Sequence, residues 1–299
     1  MSKFARVASR LFNAPLMLRP EKAEMLCAAL VDRLGIAKLD TIDGRTLEAS
    51  QLRQKAMGWY DDYVPKTARD MYTIEERVAR IAIDGTLVHK LGGVEPSSGM
   101  VGYDQIDRIL EDALANKEVG AVLLDMDSPG GEVAGCFDFA RKLSRLSLKG
   151  GGSKPIIAFA NEMACSAAYA VASSCDAVMT TETGIAGSIG VWTMVVDMTK
   201  GLSKGGIDVT MVRAGERKAR GGPYEHADRE TFAKLQAWVD ETWGIFCQHV
   251  ADQRRVLSPS AVRALEGDWF TGSDAIDIGL VDAVDSPEAI FEAVAALAR

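Results

Sequence analysis

The stretch Gly120-Ala121-Val122-Leu123-Leu124-Asp125-Met126 runs straight into Asp127-Ser128-Pro129-Gly130-Gly131-Glu132, and a different pattern follows. The first part is a largely apolar run, which predicts a strand buried on both faces, as in a parallel sheet. Pro-Gly-Gly breaks it. Over residues 133–146, Val133, Phe137, Ala140 and Leu143 then recur at helical spacing and predict an amphipathic helix. The same grammar extends in both directions. Residues 77–83, 155–160, 177–180, 190–196 and 207–213 read as strands. Residues 103–116, with Ile106, Ile109, Leu110, Ala113 and Leu114, read as a helix, as do the Ala-rich 166–174 and the long segment 228–253, with Phe232, Leu235, Val239, Phe246 and Val250. A short strand or turn at 269–272 leads into a polar-capped helix at 273–277. Strands alternating with crossover helices predict an α/β domain with a mostly parallel sheet. Sites in such folds lie beyond the carboxyl ends of strands, which puts the loops at 127–132 and 161–166 on one rim.

Composition narrows the class. The 299 residues are 47% apolar and 25% charged, the balance of a globular protein able to bury a large core. Lys plus Arg is 34 against 42 for Asp plus Glu, a net charge of -8. That argues against a nucleic-acid surface and against attraction to anionic lipid. The five Cys are odd in number and form no C-x-x-C pair, so neither a disulfide framework nor a cysteine zinc site is expected. His89, His226 and His249 form no H-E-x-x-H pair, and no metal or organic cofactor is expected. No transmembrane helix is expected either, because no sufficiently long uncharged apolar run occurs. Lys3, Arg6 and Arg10 are followed by Asn13, Pro15 and Arg19, an interrupted pattern from which no signal peptide is expected. Three parts follow: residues 1–75, an N-terminal helical extension (helix at 20–34, with Ala23, Leu26, Cys27, Leu30 and Leu34) and linker; residues 76–285, the main domain; and residues 286–299, a C-terminal helix carrying Ile290, Phe291, Val294 and Leu297.

Four stretches carry candidate chemistry, and each has a plainer explanation. At 127–132 the two glycines let backbone N–H groups face a ligand at a helix start, although Pro-Gly is ordinary turn chemistry. At 161–169, Asn-Glu-Met-Ala-Cys-Ser-Ala-Ala-Tyr, Ser166 is a nucleophile candidate on a strand-to-helix turn, although serine is a common helix N-cap. Cys165 beside it, among small apolar residues, reads as an inert buried thiol. Gly184-Ile185-Ala186-Gly187-Ser188-Ile189-Gly190 is spaced G-x-x-G-x-x-G and is not a dinucleotide fingerprint. Lys218 lies between Arg217 and Arg220 in a stretch that, alone, reads as solvated surface charge.

Taken together in this order, the S-P-G-G turn, a Ser opening an Ala-rich helix, the G-S-I-G-V loop and a Lys about fifty residues after the Ser resemble the serine-lysine peptidases of the signal peptide peptidase A family. Within it the chain looks most like the tailed-phage prohead, or capsid assembly, proteases. The resemblance covers about residues 78–284, and the stretches at 12–18 and 98–103 share it. It implies a Clp protease/crotonase-like fold of repeated β-β-α units, usually oligomeric. It implies Ser166 as nucleophile, Lys218 as general base, Ser188 as the hydroxyl that orients that lysine, and an oxyanion hole from Gly130 or Gly131 with the N–H of Ala167. It also implies an extended polypeptide substrate (scaffold, portal or head proteins), a homo-oligomer, and a place in the host cytoplasm at phage proheads, or in the bacterial cytoplasm if prophage-encoded. A bacterial envelope signal-peptide peptidase, a crotonase-like acyl-CoA enzyme and an inactive assembly module are the competing expectations.

Overall fold

The computed structural model describes residues 67–91 and 99–299 with their side chains, and before them the backbone of three short strands, β1 (Leu16–Leu18), β2 (Lys38–Asp40) and β3 (Thr46–Glu48). The helix expected at 20–34 lies outside the described residues. Within the expected N-terminal extension and linker, β3 pairs with β2 as an antiparallel hairpin.

From residue 72 onward the chain repeats one motif. β4 (Tyr72–Glu75) turns into β5 (Val78–Asp84), followed by β6 (Thr86–Val88), β7 (Met100–Gly102) and helix α1 (Tyr103–Ala115). Next come β8 (Ala121–Ser128), β9 (Gly130–Glu132) and α2 (Cys136–Leu146). Then β10 (Ile156–Cys165) leads to α3 (Ala167–Ser173). In the first two units a long strand enters one sheet, a short strand peels into a second sheet, and a helix returns. These are β-β-α units, the repeat that the resemblance implies.

The large sheet runs β12 (Ile185–Gly187), β10, β8, β5, β4, with β13 (Trp269–Thr271) beyond β12 and β11 (Ala177–Thr180) also on β10. β5, β8, β10, β11 and β12 pair in parallel; β4 and β13 are antiparallel edges. The small sheet runs β1, β9, β6, β7.

Side-chain alternation along β8 explains the layers. Val122, Leu124 and Met126 point into the main core with Ile81, Ile83, Leu110, Leu143 and Phe246. Ala121 and Leu123 point to the opposite face, joining Val78, Ile157 and Phe159 beneath Ile290 and Val294 of the C-terminal helix α8. The remaining elements are α4 (Thr199–Lys204), α5 (Arg229–Gln253), α6 (Pro259–Arg263), α7 (Gly272–Ile278) and β14 (Ala283–Val284), with α8 spanning Pro287–Leu297. Asp228 caps α5, its carboxylate accepting the Thr231 N–H at 2.7 Å.

Two expectations change. The strand expected to end at residue 160 continues to Cys165, through an irregularity after Ala160 with Glu162 at φ +75°. Parallel pairing on both sides carries it onward: β11 serves its first half and β12 its second. Conversely, 190–196 and 207–213 form no strands beyond an isolated bridge at residue 192. Their alternating pattern is strand-like, but a strand also needs a ladder partner, and these segments lie outside both sheets.

Buried His249 joins α5 to α3, with Nε2 3.0 Å from the Ala170 carbonyl and 3.2 Å from Ser174 Oγ. Burial lowers its pKa below the ordinary 6.5, against the opposing pull of the Ala170 carbonyl. The unfolded chain therefore binds this proton at higher pH than the fold does. Stability should fall as pH drops through about 6.5, with a slope of up to about 1.4 kcal/mol per pH unit from this group. Denaturant midpoints measured from pH 7.5 to 5 should show that loss, and His249→Gln should flatten it.

Candidate active site

Parallel register brings the carboxyl ends of three strands to one level. Ala164 of β10 stands opposite Ser128 of β8, and Cys165 opposite Gly187 of β12. Ser166 and Ser188 therefore sit one residue past the same rung, while Gly130 and Gly131 follow two and three residues after Ser128. The structure thus gathers Ser166, Ser188, Gly130, Gly131 and Ala167 on one rim.

Ser166 is buried, at 2% exposure, and is held in an uncommon conformation, φ +56° and ψ −120°. Its N–H donates to the Gly187 carbonyl at 2.7 Å, and its own carbonyl accepts the Ala170 N–H at 3.0 Å, starting α3. The chain is thus tied to β12 at the point where it begins to coil. A left-handed residue makes the sharp strand-to-helix turn and costs about 1–3 kcal/mol in a non-glycine residue. The plain N-cap explanation fails, because the Ser166 side chain makes no capping hydrogen bond. Its hydroxyl is left over a helix start whose first N–H groups have no partners inside the helix. Cys165 is fully buried, as expected of an inert thiol.

Ser188 is also left-handed, at φ +54° after Gly187 at +114°. Its N–H donates to the Asp268 carbonyl at 2.7 Å, and the Trp243 indole donates to the next carbonyl, that of Ile189, at 2.9 Å. Arg263 stacks 4.3 Å from the Trp243 ring centroid. Asp268 and Trp243 are positioning residues that sequence reasoning missed; contacts reaching across 54 to 80 positions leave no local signal.

Of the two glycines expected at the oxyanion hole, Gly130 has φ +102°, and its N–H reaches Ser128 Oγ at 3.3 Å. Ser128 Oγ in turn donates to the Gly85 carbonyl at 2.7 Å. Gly131 must be glycine: a Cβ there would stand 1.8 Å from the Leu87 carbonyl oxygen of β6. Glu132 braces the same rim, its carboxylate accepting the His89 N–H at 2.7 Å.

Lys218 is placed elsewhere. It is exposed, in the loop between α4 and α5, and no hydrogen bond or ion pair joins it to Ser166 among the described residues. Its basic neighbours are tied down. Arg213 pairs with Glu225, Arg217 with Glu230 at 2.7 Å, and Arg220 with Glu230 at 2.8 Å. Lys218 has no carboxylate partner among the described residues, so it is the cation of this loop left for another role. Burial lowers the pKa of Lys149 and Lys154, but both are far from the rim. Lys149 Nζ donates to the Ser173 carbonyl at the far end of α3, and Lys154 Nζ to the Asn116 carbonyl at the amino end of β10.

Residues 151–299 match Peptidase family S49. Over 95% of its length the chain is 37% identical to capsid assembly protease C of Escherichia phage lambda, and over 93% it is 36% identical to head-tail preconnector protein GP5 of Enterobacteria phage P21. It spans 64% and 54% of those two proteins respectively. Among solved structures, a ClpP1 mutant from Listeria monocytogenes aligns with 72% of this chain and 94% of its own, at 10% identity and a TM-score of 0.43.

Glycine is the one residue for which φ +56° carries little strain. Ser166→Gly should therefore be more stable than Ser166→Ala by about 1–3 kcal/mol. Equal denaturation midpoints for the two variants would show that the turn is not strained. With the rim built and its relatives in view, the likeness of this chain to Peptidase family S49 is carried by residues 151–299.

Proposed function

We propose that this chain is a serine endopeptidase of phage head maturation, in which Ser166 is the nucleophile and Lys218 the general base. The observation that carries it is Ser166 itself: a buried serine in a left-handed turn, between a helix start and a glycine strand, with its hydroxyl uncommitted to a cap. A hydroxyl so placed attacks a carbonyl lying across the rim. Backbone N–H groups of Ala167 and of Gly130 or Gly131 then stabilise the oxyanion, each such donor typically contributing about 3–4 kcal/mol. A neutral lysine takes the serine proton and returns it to the leaving amine, and water releases the acyl group. Ser188, across the rung, orients the lysine.

Lys218 must leave solvent to act in this way, because an ammonium cannot accept a proton. The surface around its loop supports a route. Ile207, Val209 and Val212 are exposed, Val212 at 95%, in a strand-like segment with no ladder partner among the described residues. A second copy of the chain covering that segment would bury it and bring the loop against a Ser166. The functional unit in this proposal is therefore a homo-oligomer. Two relatives support the biological setting, one a capsid assembly protease and one a head-tail preconnector protein. Scaffold, portal or head proteins are the proposed substrates, and the host cytoplasm, at the prohead, is the proposed place. No helix among the described residues is long and apolar enough to cross a membrane.

The test is co-expression with neighbouring head proteins, with cut ends mapped by mass spectrometry. Ser166→Ala and Lys218→Ala should each abolish cleavage while the fold is kept. Lys218→Arg should fail as well, since arginine does not deprotonate in proteins. Ser188→Ala should lower the rate less and alter its pH profile. Cleavage by Ser166→Ala would remove the nucleophile, and cleavage by Lys218→Arg would remove the base.

A further inference from the structure

β9 carries the glycines of the rim, and its two edges have different fates. One edge is taken by β6, in parallel, with Gly131 opposite Leu87. The other edge is where an extended peptide would add as a new strand, its main chain supplying affinity and its side chains specificity. That edge is filled by the chain's own β1, running antiparallel: Leu16 opposite Glu132, Met17 opposite Gly131 and Leu18 opposite Gly130. More than a hundred residues separate the partners, so the contact is not imposed by chain proximity. Pro15 and Pro20 bracket the segment. Proline lacks the N–H a ladder needs, so the added strand stays short. A strand of three residues forms few hydrogen bonds and is readily displaced, yet its tether gives it an effective concentration on the order of millimolar.

We infer that Leu16–Leu18 is an intramolecular occupant of the peptide-binding edge of β9, lying where an extended apolar segment of a substrate polypeptide must lie, in the direction that segment must run. This rests on the reading of the rim as a peptidase site, and it deepens that reading in two ways. The substrate class is an extended stretch whose main chain pairs antiparallel with Gly130–Glu132, as the backbone of Leu16–Leu18 does. The free chain is held back until such a stretch displaces its own amino-terminal strand.

The test separates occupancy from catalysis. A fluorescein-labelled peptide, Asn13-Ala14-Pro15-Leu16-Met17-Leu18-Arg19-Pro20, is titrated into the full chain carrying Ser166→Ala. It is also titrated into the same chain with Met17→Pro added, and with Leu16→Pro and Leu18→Pro added together. Ladder hydrogen bonds alternate along an antiparallel strand, so one of these two variants removes N–H groups aimed at β9. That variant should bind the peptide at least about tenfold more tightly, because the tethered competitor is gone. With Ser166 restored, it should also cleave fluorescein-labelled casein several-fold faster. Equal peptide affinity in all three chains, or a lowered melting temperature with no gain in binding, would overturn the inference and leave β1 a purely structural strand. The binding contrast without casein cleavage would uphold the occupied edge and count against the peptidase reading alone. If both proline variants fail to fold, hydrogen exchange on the Ser166→Ala chain decides. Saturating peptide should strip protection from the amides of residues 16–18, and unchanged protection would refute displacement.

Discussion

The Ser166 amide donates to the Gly187 carbonyl at 2.7 Å, and the rest of the site hangs on that bond. It extends the pairing of β10 with β12 one residue past the last rung, so β10 cannot begin to coil until Ser166 has been committed to its neighbour. The turn into α3 must then be made within one residue, and the backbone adopts φ +56° to make it. The same constraint leaves the Ser166 side chain at the start of α3 without a capping hydrogen bond. Strain in the backbone and availability of the side chain have one cause.

Around this point the fold holds things close that would otherwise separate. Ser188 is gripped from two directions, by the Asp268 carbonyl through its own amide and by Trp243 through the carbonyl of Ile189. Gly131 lets β9 and β6 approach so closely that no side chain fits between them. The small sheet therefore starts at the rim of the large one, and an extended chain added to β9 lies along the rim that carries Ser166. The occupant in this structure, Leu16–Leu18, reaches that edge from the far end of the sequence.

The loop bearing Lys218 follows a different logic. Its arginines are pinned by Glu225 and Glu230, whereas its lysine stands in solvent beyond an uncovered apolar segment. Among the described residues nothing gives that segment a ladder. The rim is built by one chain, while the proposed role of Lys218 as base requires the lysine to leave solvent, and this contrast is the physical ground for the proposal of a functional unit above the monomer.

Much was legible in the residues alone. The apolar run at 120–126, the glycine turn after it and the 3.6-residue spacing beyond identified strand, break and helix, because burial and backbone freedom leave local marks in composition. Ser166, Ser188 and the glycines could be named for the same reason: each stands at a break in such a pattern. Three things could not be read. The continuation of β10 to Cys165 depends on partners twenty residues and more away. The absence of strands at 190–196 and 207–213 depends on missing partners, since alternation is necessary for a half-buried strand and not sufficient. The support of Ser188 by Asp268 and Trp243, and the seating of β1 on β9, are contacts between distant positions. Periodicity along one chain reports which face of an element seeks burial; only the folded backbone decides which other element meets it, because hydrogen-bond ladders are satisfied in space and not in sequence.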